Sequence, residues 1–141
     1  MKTQTSSLSI GAVARESGFS IDTIRFYERQ GLLPEPERKP SGYRCYQPDI
    51  LTRLRFIQRA KDLGFTLEEI TQLLALSQDN HKGVKGVRER AQQHVTNISQ
   101  RIAELTRVRD SLAQLVDACP GHGTTDACPI LRALTDEEPL P

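Results

Sequence analysis

The sequence has few of the residues that mark secreted or membrane proteins. It contains three cysteines and no tryptophan, and aromatic residues make up 5% of the composition. Such a sparse, odd set of cysteines argues against a disulfide framework and leaves metal binding, reactive-thiol chemistry or packing as their roles. The apolar runs are short and interrupted by charge, so no membrane span is expected. No apolar stretch precedes Arg15, which argues against a secretory signal and predicts a cytoplasmic protein.

Basic residues are unevenly distributed along the chain. Residues 1–62 carry 11 Lys and Arg against 7 Asp and Glu, whereas residues 63–141 carry 8 against 11. The net charge of the whole chain is only +1, so the basic excess belongs to the first half. This asymmetry is typical of a nucleic-acid-facing head followed by a region that does not bind nucleic acid.

Two short helices joined by a glycine turn are expected near the start. Ser9 is suited to cap a helix that ends at Gly18, and Ser20 to cap a second helix that ends at Gly31. This order is typical of a helix-turn-helix, although it also suits an ordinary helical hairpin with a charged outer face. The second helix carries side chains of the kinds that reach phosphates and base edges. They are Thr23, Arg25, Tyr27 and Arg29.

The next segment predicts a small two-stranded wing. The stretch "LLPEPERKPSGYRCYQP" has a proline-rich entry and a Ser-Gly turn between two short runs. These runs hold a basic and aromatic cluster, which consists of Arg38, Lys39, Tyr43, Arg44 and Tyr46. Two further helices follow, "DILTRLRFIQRAKDLG" and "LEEITQLLALS", the second opened by a capping box of Thr66 and Glu69. Their apolar residues provide a core for the helical pair.

One long helix is predicted from Lys82 to Cys119, because no proline interrupts this stretch. Apolar residues recur in it every seven positions, as in a coiled coil. This heptad column consists of Val84, Ala91, Ile98, Leu105 and Leu112. A single helix of this length cannot bury such a stripe, so a partner is expected, most simply a second copy related by a two-fold axis.

The stretch "ACPGHGTTDACPI" predicts a metal-binding loop. Cys119 continues the heptad column, and Cys128 precedes a short helix that begins at Pro129, where the helix N-terminus stabilises a thiolate. Two thiols joined by one loop suit a soft metal ion, although cysteine is also a common packing residue. Zinc prefers about four ligands. The candidates to complete such a set are His122, His81, Asp117 and Asp126.

The stretches "LSIGAVARESGFSIDTIRFYERQGLLPEPER", "GYRCY" and "RLRFIQRAKDLGFTLEEITQLL" closely resemble the DNA-binding head of the MerR family of transcriptional regulators. The resemblance implies a mainly α fold: a winged helix-turn-helix head, a long antiparallel coiled-coil dimerisation helix and a C-terminal metal-binding loop. It places the head at 8–78, the dimerisation helix at 82–118 and the loop with a short helix at 119–134. The acidic residues of the tail, 135–141, predict that it is disordered. The expected DNA-binding residues are Ser20, Thr23, Arg25, Tyr27, Arg38, Tyr43 and Arg44. Cys45, in the wing, is interpreted as a packing residue.

The cysteine loop also resembles that of the metal-sensing branch of this family, in which two loop cysteines bind the inducer. Members that sense divalent ions have a third cysteine near the start of the long helix, where this chain reads "DNHKGVKG". The missing thiol favours Cu(I), Ag(I) or Au(I), held linearly by Cys119 and Cys128. Two thiolates and a monovalent ion leave a net −1 that Lys82 is able to balance across the dimer seam. Zn(II), Cd(II), Pb(II) and Hg(II) remain the alternative, with His122 or His81 as further ligands.

The resemblance also implies partners and a mode of action. A homodimer would bind double-stranded promoter DNA, and metal binding would untwist an overlong promoter spacer so that RNA polymerase aligns with both promoter elements. An enzyme is not expected, because the two loop cysteines are too far apart for a Cys-x-x-Cys pair and no glycine-rich nucleotide loop occurs. A thiol-redox sensor is a remote alternative. An iron–sulfur sensor of the same fold would need four cysteines.

Overall fold

The computed structural model describes residues 7–136 of the chain. Over this range the backbone is mainly helical, with one small two-stranded sheet. Its elements are α1 (Ile10–Ser17), α2 (Ile21–Arg29), β1 (Glu37–Arg38), β2 (Arg44–Cys45), α3 (Ile50–Asp62), α4 (Leu67–Ser77), α5 (Gly83–Ala118) and α6 (Pro129–Thr135). The predicted order of helices, wing and long helix is confirmed. Residues 137–141 of the predicted disordered tail lie outside the described range. No helix within residues 7–136 is long and apolar enough to cross a membrane.

The chain divides into two compact units between Arg90 and Ala91. The first unit therefore contains α1 to α4, the wing and the first two turns of α5. The second contains the rest of α5, the cysteine loop and α6. The start of α5 belongs to the first unit because it packs against α4.

Short polar side chains set the helix starts in the first unit. The Ser9 hydroxyl accepts a hydrogen bond from the backbone N–H of Ala12, and the Ser20 hydroxyl accepts one from that of Thr23. Gly18 ends α1 in the left-handed conformation, with φ of 82°, which a residue without a Cβ adopts most readily. At α4 the capping box of Thr66 and Glu69 forms as predicted. These local hydrogen bonds fix the turn between α1 and α2.

The core of the first unit lies among α1, α2, α3 and α4. Its fully buried aliphatic side chains are Val13, Ile24, Leu32, Leu54, Ile57 and Ile70. Burying a side chain of this size stabilises the fold by about 1.5–3 kcal/mol relative to leaving it in water. Arg53 of α3 donates from Nε to the carbonyl of Leu32, 2.9 Å away, which fixes the chain just after α2. The core thereby sets the orientation of α2.

The wing is an antiparallel pair in which Glu37 lies opposite Cys45 and Arg38 opposite Arg44. The turn between the strands passes through Gly42, whose φ is 91°. On its other side the wing is joined to the start of the chain, because Leu8 and Tyr46 exchange two backbone hydrogen bonds of 2.7 and 2.8 Å. The short wing is therefore held along both edges of its second strand.

The start of α5 packs closely against the end of α4 at two glycines. A Cβ atom on Gly83 would lie 2.2 Å from the carbonyl oxygen of Leu76, and one on Gly86 would lie 2.6 Å from the Cδ2 atom of Leu76. Arg90 adds a hydrogen bond of 2.6 Å from Nη1 to the Oε1 atom of Gln72. At position 83 only glycine allows this approach of the two helices, because the atom it would meet is backbone.

Gly83→Ala is expected to destabilise the first unit. The new methyl group would meet a backbone oxygen that cannot move away by a rotamer change, and such overpacking costs about 1–3 kcal/mol. Thermal unfolding followed by circular dichroism measures the effect. Gly86→Ala is the matched control, with a smaller expected loss, since it meets only the movable Leu76 side chain. A Gly83→Ala variant that melts at or above the unmodified protein would contradict this account.

Candidate DNA interface and metal site

The exposed face of α2 carries the first group of predicted DNA-binding residues. Arg25 is exposed on this helix, and Phe26 beside it is partly exposed, with the Arg29 guanidinium 6.0 Å from its ring centre. Ser20 and Thr23 lie at the helix start, where the two hydroxyls are 2.8 Å apart. A helix start with two hydroxyl side chains and an exposed arginine is chemically suited to phosphate and base edges.

Tyr27 lies in the core, and the expectation that α2 presents it on its surface is wrong. Its side chain is 1% exposed, and its ring packs edge-on against Phe19 with centres 5.7 Å apart. The Tyr27 hydroxyl accepts a hydrogen bond of 3.2 Å from the Nζ atom of Lys61. The physical reason is helical periodicity, because Tyr27 follows the buried Ile24 by three residues and so shares its face. A buried ring is not available to DNA, so Tyr27 is not among the side chains that α2 offers to DNA.

The wing carries the second group of candidates. Tyr43, beside the turn glycine, is 74% exposed. Arg38 is exposed on β1 and donates from Nη1 to the carbonyl of Gly42, 2.9 Å away, so that its side chain extends along the turn. Arg38 and Arg44 are directly opposite each other in the sheet. The wing therefore places two arginines and an exposed tyrosine within a few residues of one turn.

Arg44 is tied to α2 through Glu28. Its Nε atom lies 3.6 Å from the Glu28 Oε1 atom, and the other carboxylate oxygen of Glu28 accepts a short hydrogen bond from the Tyr46 hydroxyl. The side chain of Glu28 is 8% exposed and that of Arg44 is 27% exposed. Burial, together with the hydrogen bond to Glu28, raises the pKa of Tyr46 well above its usual range, while the positive charges of Arg44 and Arg25 oppose the rise. The Tyr46 hydroxyl therefore stays protonated and remains a donor to Glu28.

The cysteine loop brings its two thiols together. The Sγ atoms of Cys119 and Cys128 are 3.9 Å apart, and both residues are half-buried and free of disulfides. The loop turns through Gly121 and Gly123, with φ of 81° and 110°, before a short 3-10 turn at Thr125–Ala127. A zinc–thiolate bond is about 2.3 Å long, so one ion of that size touches two sulfurs up to about 4.6 Å apart. The separation of the two sulfurs fits one shared soft ion.

The surroundings of Cys128 favour its thiolate form. The backbone N–H of Leu131 lowers the pKa of Cys128 most, and the N–H of Ile130 and the Cys119 thiol add to the effect, while desolvation opposes it. Both N–H groups belong to the first turn of α6, which has Pro129 at its start. A thiolate is the form that binds metal ions.

The other candidate ligands do not join the sulfur pair in this chain. Within residues 7–136 no group of three or more His, Cys, Asp or Glu side chains is arranged to hold a metal ion. His122 is exposed in the loop. His81 belongs to the first compact unit, where its backbone N–H donates to the Asp79 carboxylate, 3.0 Å away. Within the second unit the structure thus brings together Cys119 and Cys128, and His122 does not complete a metal-binding group with them.

Comparison with known proteins decides the family. The model of MerR HTH family regulatory proteins matches residues 8–77, and the model described as MerR, DNA binding matches residues 51–115. The chain belongs to the MerR family. Its relatives in this family are transcriptional regulators, so the chain is a DNA-binding regulator rather than an enzyme.

Individual MerR-family proteins resemble the chain over most of its length. The HTH-type transcriptional regulator HmrR of Rhizobium leguminosarum bv. viciae is 45% identical, over 92% of this chain and 98% of HmrR. The transcription regulator PbrR691 of Ralstonia metallidurans CH34, solved in complex with lead(II), is 34% identical with a TM-score of 0.81, over 90% of this chain and 98% of PbrR691. HiNmlR, a MerR family regulator lacking the sensor domain and solved bound to promoter DNA, is 26% identical with a TM-score of 0.56, over 79% of this chain and 84% of HiNmlR.

Two features of this MerR-family site were missed by sequence reasoning. Phe26, rather than Tyr27, is the aromatic residue that α2 exposes, and the buried pair Ile24 and Tyr27 at a spacing of three was the signal for it. The role of Glu28 had no local signal, because its partners Arg44 and Tyr46 lie 16 and 18 residues away. A carboxylate on a helix that is predicted to face DNA would nevertheless be repelled by the phosphates.

In the metal-free MerR-family protein, we expect Cys128 to react with an alkylating agent at lower pH when the chain is folded than when it is unfolded in urea. Thiolate is the reactive form, and the lowered pKa keeps that form populated as the pH falls. Iodoacetamide labelling at a series of pH values, read by mass spectrometry of the Cys128 peptide, tests this. Metal affinity should weaken as the pH falls through the folded pKa, because protons then compete with the ion. Coincident folded and unfolded curves would contradict the assignment.

Proposed function

We propose that the chain is a metal-responsive transcriptional activator that binds promoter DNA as a homodimer and senses a soft monovalent ion, Cu(I), Ag(I) or Au(I), through Cys119 and Cys128. The observation that carries the proposal is the 3.9 Å separation of the two sulfurs. Two soft thiolates suit a soft ion of low coordination number. When bound, the ion would supply a bridge between the end of α5 and the start of α6.

DNA binding is supported by the exposed cations of α2 and the wing. Arg25, Arg38 and Tyr43 are exposed, and Arg44 lies on the same small sheet as Arg38. HiNmlR, to which the chain is similar, was solved bound to promoter DNA. We expect α2 to enter the major groove and the wing to contact the adjacent backbone, with affinity that falls steeply as the salt concentration rises.

A homodimer is supported by the second unit. Beyond Arg90, α5 exposes a long apolar stripe at heptad spacing: Val95, Ile98, Ile102, Leu105, Val108, Leu112 and Val116. Covering this stripe with the same helix of a second copy removes it from water and gives two DNA-binding heads one axis of symmetry. In this family-based mechanism, metal binding changes the geometry of the two heads, distorts the promoter spacer and lets RNA polymerase align with both promoter elements.

A divalent ion is the second candidate for the inducer. PbrR691, to which the chain is similar over 90% of its length, was solved in complex with lead(II). For this chain a divalent ion would need further ligands beyond the two sulfurs, and His122 is the nearest histidine in sequence. This alternative is distinguished from the first by the number and kind of ligands.

A metal titration of the reduced protein tests the choice of ion. Under the monovalent proposal, Cu(I) and Ag(I) bind at one ion per chain, protect two thiols from alkylation and induce transcription. His122→Ala should change neither the binding of these ions nor the induction. Asp136→Ala, which removes another exposed polar side chain of the same unit, is the matched control. Strong induction by Zn(II), Cd(II), Pb(II) or Hg(II) with no response to Cu(I), and its loss in His122→Ala, would establish the divalent alternative instead.

A further inference from the structure

Glu28 places a carboxylate among the cations that face DNA in the proposed function. It lies on α2, one helical turn after Arg25, and 3.6 Å from the Nε atom of Arg44 on the wing. DNA carries one negative charge on every phosphate, so a carboxylate near this surface opposes binding unless it does something else. The side chain is 8% exposed, which makes it an inward-facing group rather than part of a solvated surface.

Both oxygens of this carboxylate are engaged with the wing. One lies at ion-pair distance from Arg44, and the other accepts the hydrogen bond of the Tyr46 hydroxyl. A buried carboxylate is stable only when it is paired or hydrogen-bonded in this way. Tyr46 is also the residue through which the wing pairs with Leu8, so its position is fixed by the backbone as well. Glu28 is thus the point at which α2 and the second strand of the wing are joined.

The orientation of Arg44 follows from this contact. Among the described residues its Nε atom is buried without a hydrogen-bond partner, so the exposed 27% of the side chain belongs to its other atoms. An arginine has five N–H donors, four of them on the two Nη atoms. The ion pair with Glu28 lies on the Nε side of the guanidinium, so the four Nη donors are the ones that a ligand would meet.

We propose that Glu28 is a positioning residue for DNA recognition, which holds Arg44 of the wing at a fixed spacing from Arg25 of α2 so that both meet the DNA backbone together. The inference rests on the proposed DNA-binding function. It predicts that the carboxylate acts through Arg44, and that its negative charge strengthens binding to a polyanion.

Whether Glu28→Gln weakens or tightens DNA binding distinguishes a positioning role from a mere negative charge near the DNA. Glutamine keeps the size of the side chain and an oxygen that accepts from Tyr46, but it loses the ion pair with Arg44. If Glu28 were only a negative charge near DNA, its removal would tighten binding. If it positions Arg44, its removal should weaken binding about tenfold, the effect of losing one hydrogen bond or ion pair to a charged group.

The test uses the full chain and a duplex that the unmodified protein selects from a random-sequence library. Affinity is measured by fluorescence anisotropy at several salt concentrations. We expect Glu28→Gln to bind about tenfold more weakly and to lower the slope of log affinity against log salt by about one, as Arg44→Ala should, because one phosphate contact is lost. Partial unfolding would reduce the active fraction but not this slope. Glu37→Gln removes an exposed charge from the same wing and should bind as tightly as the unmodified protein or more tightly.

A double-mutant cycle completes the test. In the Arg44→Ala background, Glu28→Gln should have little further effect, since the group it positions is gone. An undiminished effect there, or Glu28→Gln binding as tightly as the unmodified protein, would overturn the proposal. If Glu28→Gln melts below the assay temperature, Tyr46→Phe, which changes no charge, should weaken binding in its place, and unchanged affinity would count against positioning. Failure of the unmodified protein to select any duplex would instead overturn the DNA-binding function itself.

Discussion

Cys119→Ser and Cys128→Ser are each expected to abolish metal-dependent transcription while operator binding stays unchanged. The two sulfurs are 3.9 Å apart in one loop, so removal of either leaves a single thiolate there. Loss of a group that only orients a metal ligand reduces metal affinity by up to about 100-fold. Loss of a ligand itself should therefore reduce it by more than that. DNA binding should survive because Arg25 and the wing belong to the other compact unit.

Metal affinity by competition with a chelator, and transcription from a reporter promoter, measure the two effects. Cys45→Ala is the matched control, because this thiol is half-buried on β2 and lines a cavity of about 200 Å³ with Pro36, Ile50 and Arg53. It should retain full induction. Induction that persists in Cys128→Ser, or disappears in Cys45→Ala, would place the sensing thiol elsewhere.

The double variant Ile98→Glu with Leu105→Glu is expected to convert the protein to a monomer and to weaken operator binding by about 100-fold or more. Both side chains are exposed on the apolar stripe of α5, and four added charges per dimer would be buried against each other there. Two linked heads gain roughly 10²- to 10⁴-fold over one head on a two-part site, and a monomer loses that gain.

Sedimentation velocity gives the oligomeric state, and anisotropy titrations give the affinity. Gln100→Glu is the matched control, because it adds one charge per chain on an exposed position 200° around the helix from Ile98 and should leave the dimer intact. A double variant that stays dimeric would show that the stripe is not the dimer contact. A monomeric variant with unchanged operator affinity would show that one head suffices for binding.

Features specified by neighbouring residues were predictable from the sequence. The Ser9 and Ser20 caps and the Gly18 turn depend on hydrogen bonds and φ angles within a few residues, and they occur where expected. The meeting of Cys119 and Cys128 also has a local cause, since both flank one short loop.

Features that depend on distant partners were not predictable. The spacing of Ile24 and Tyr27 places them on one face of α2, but that this face is the buried one is decided by packing in the core that α1, α3 and α4 complete, and so the inward position of Tyr27 was missed. The contact of Glu28 with Arg44 and Tyr46 joins positions 16 and 18 residues apart. No local pattern specifies such a contact, because it exists only once the wing has packed against the helix.

Both sulfurs lie within residues 119–128, so the metal preference and the promoter preference of such a regulator can change independently during evolution. Under the proposed function, every protein ligand of the ion comes from one ten-residue segment, and none of the residues that read DNA lies within it. Substitutions that retune the ion preference therefore need not alter promoter choice. A duplicated gene is able to acquire a new inducer while it still occupies its ancestral operator, and an engineer is able to exchange this segment alone to build reporters with different metal responses on one promoter.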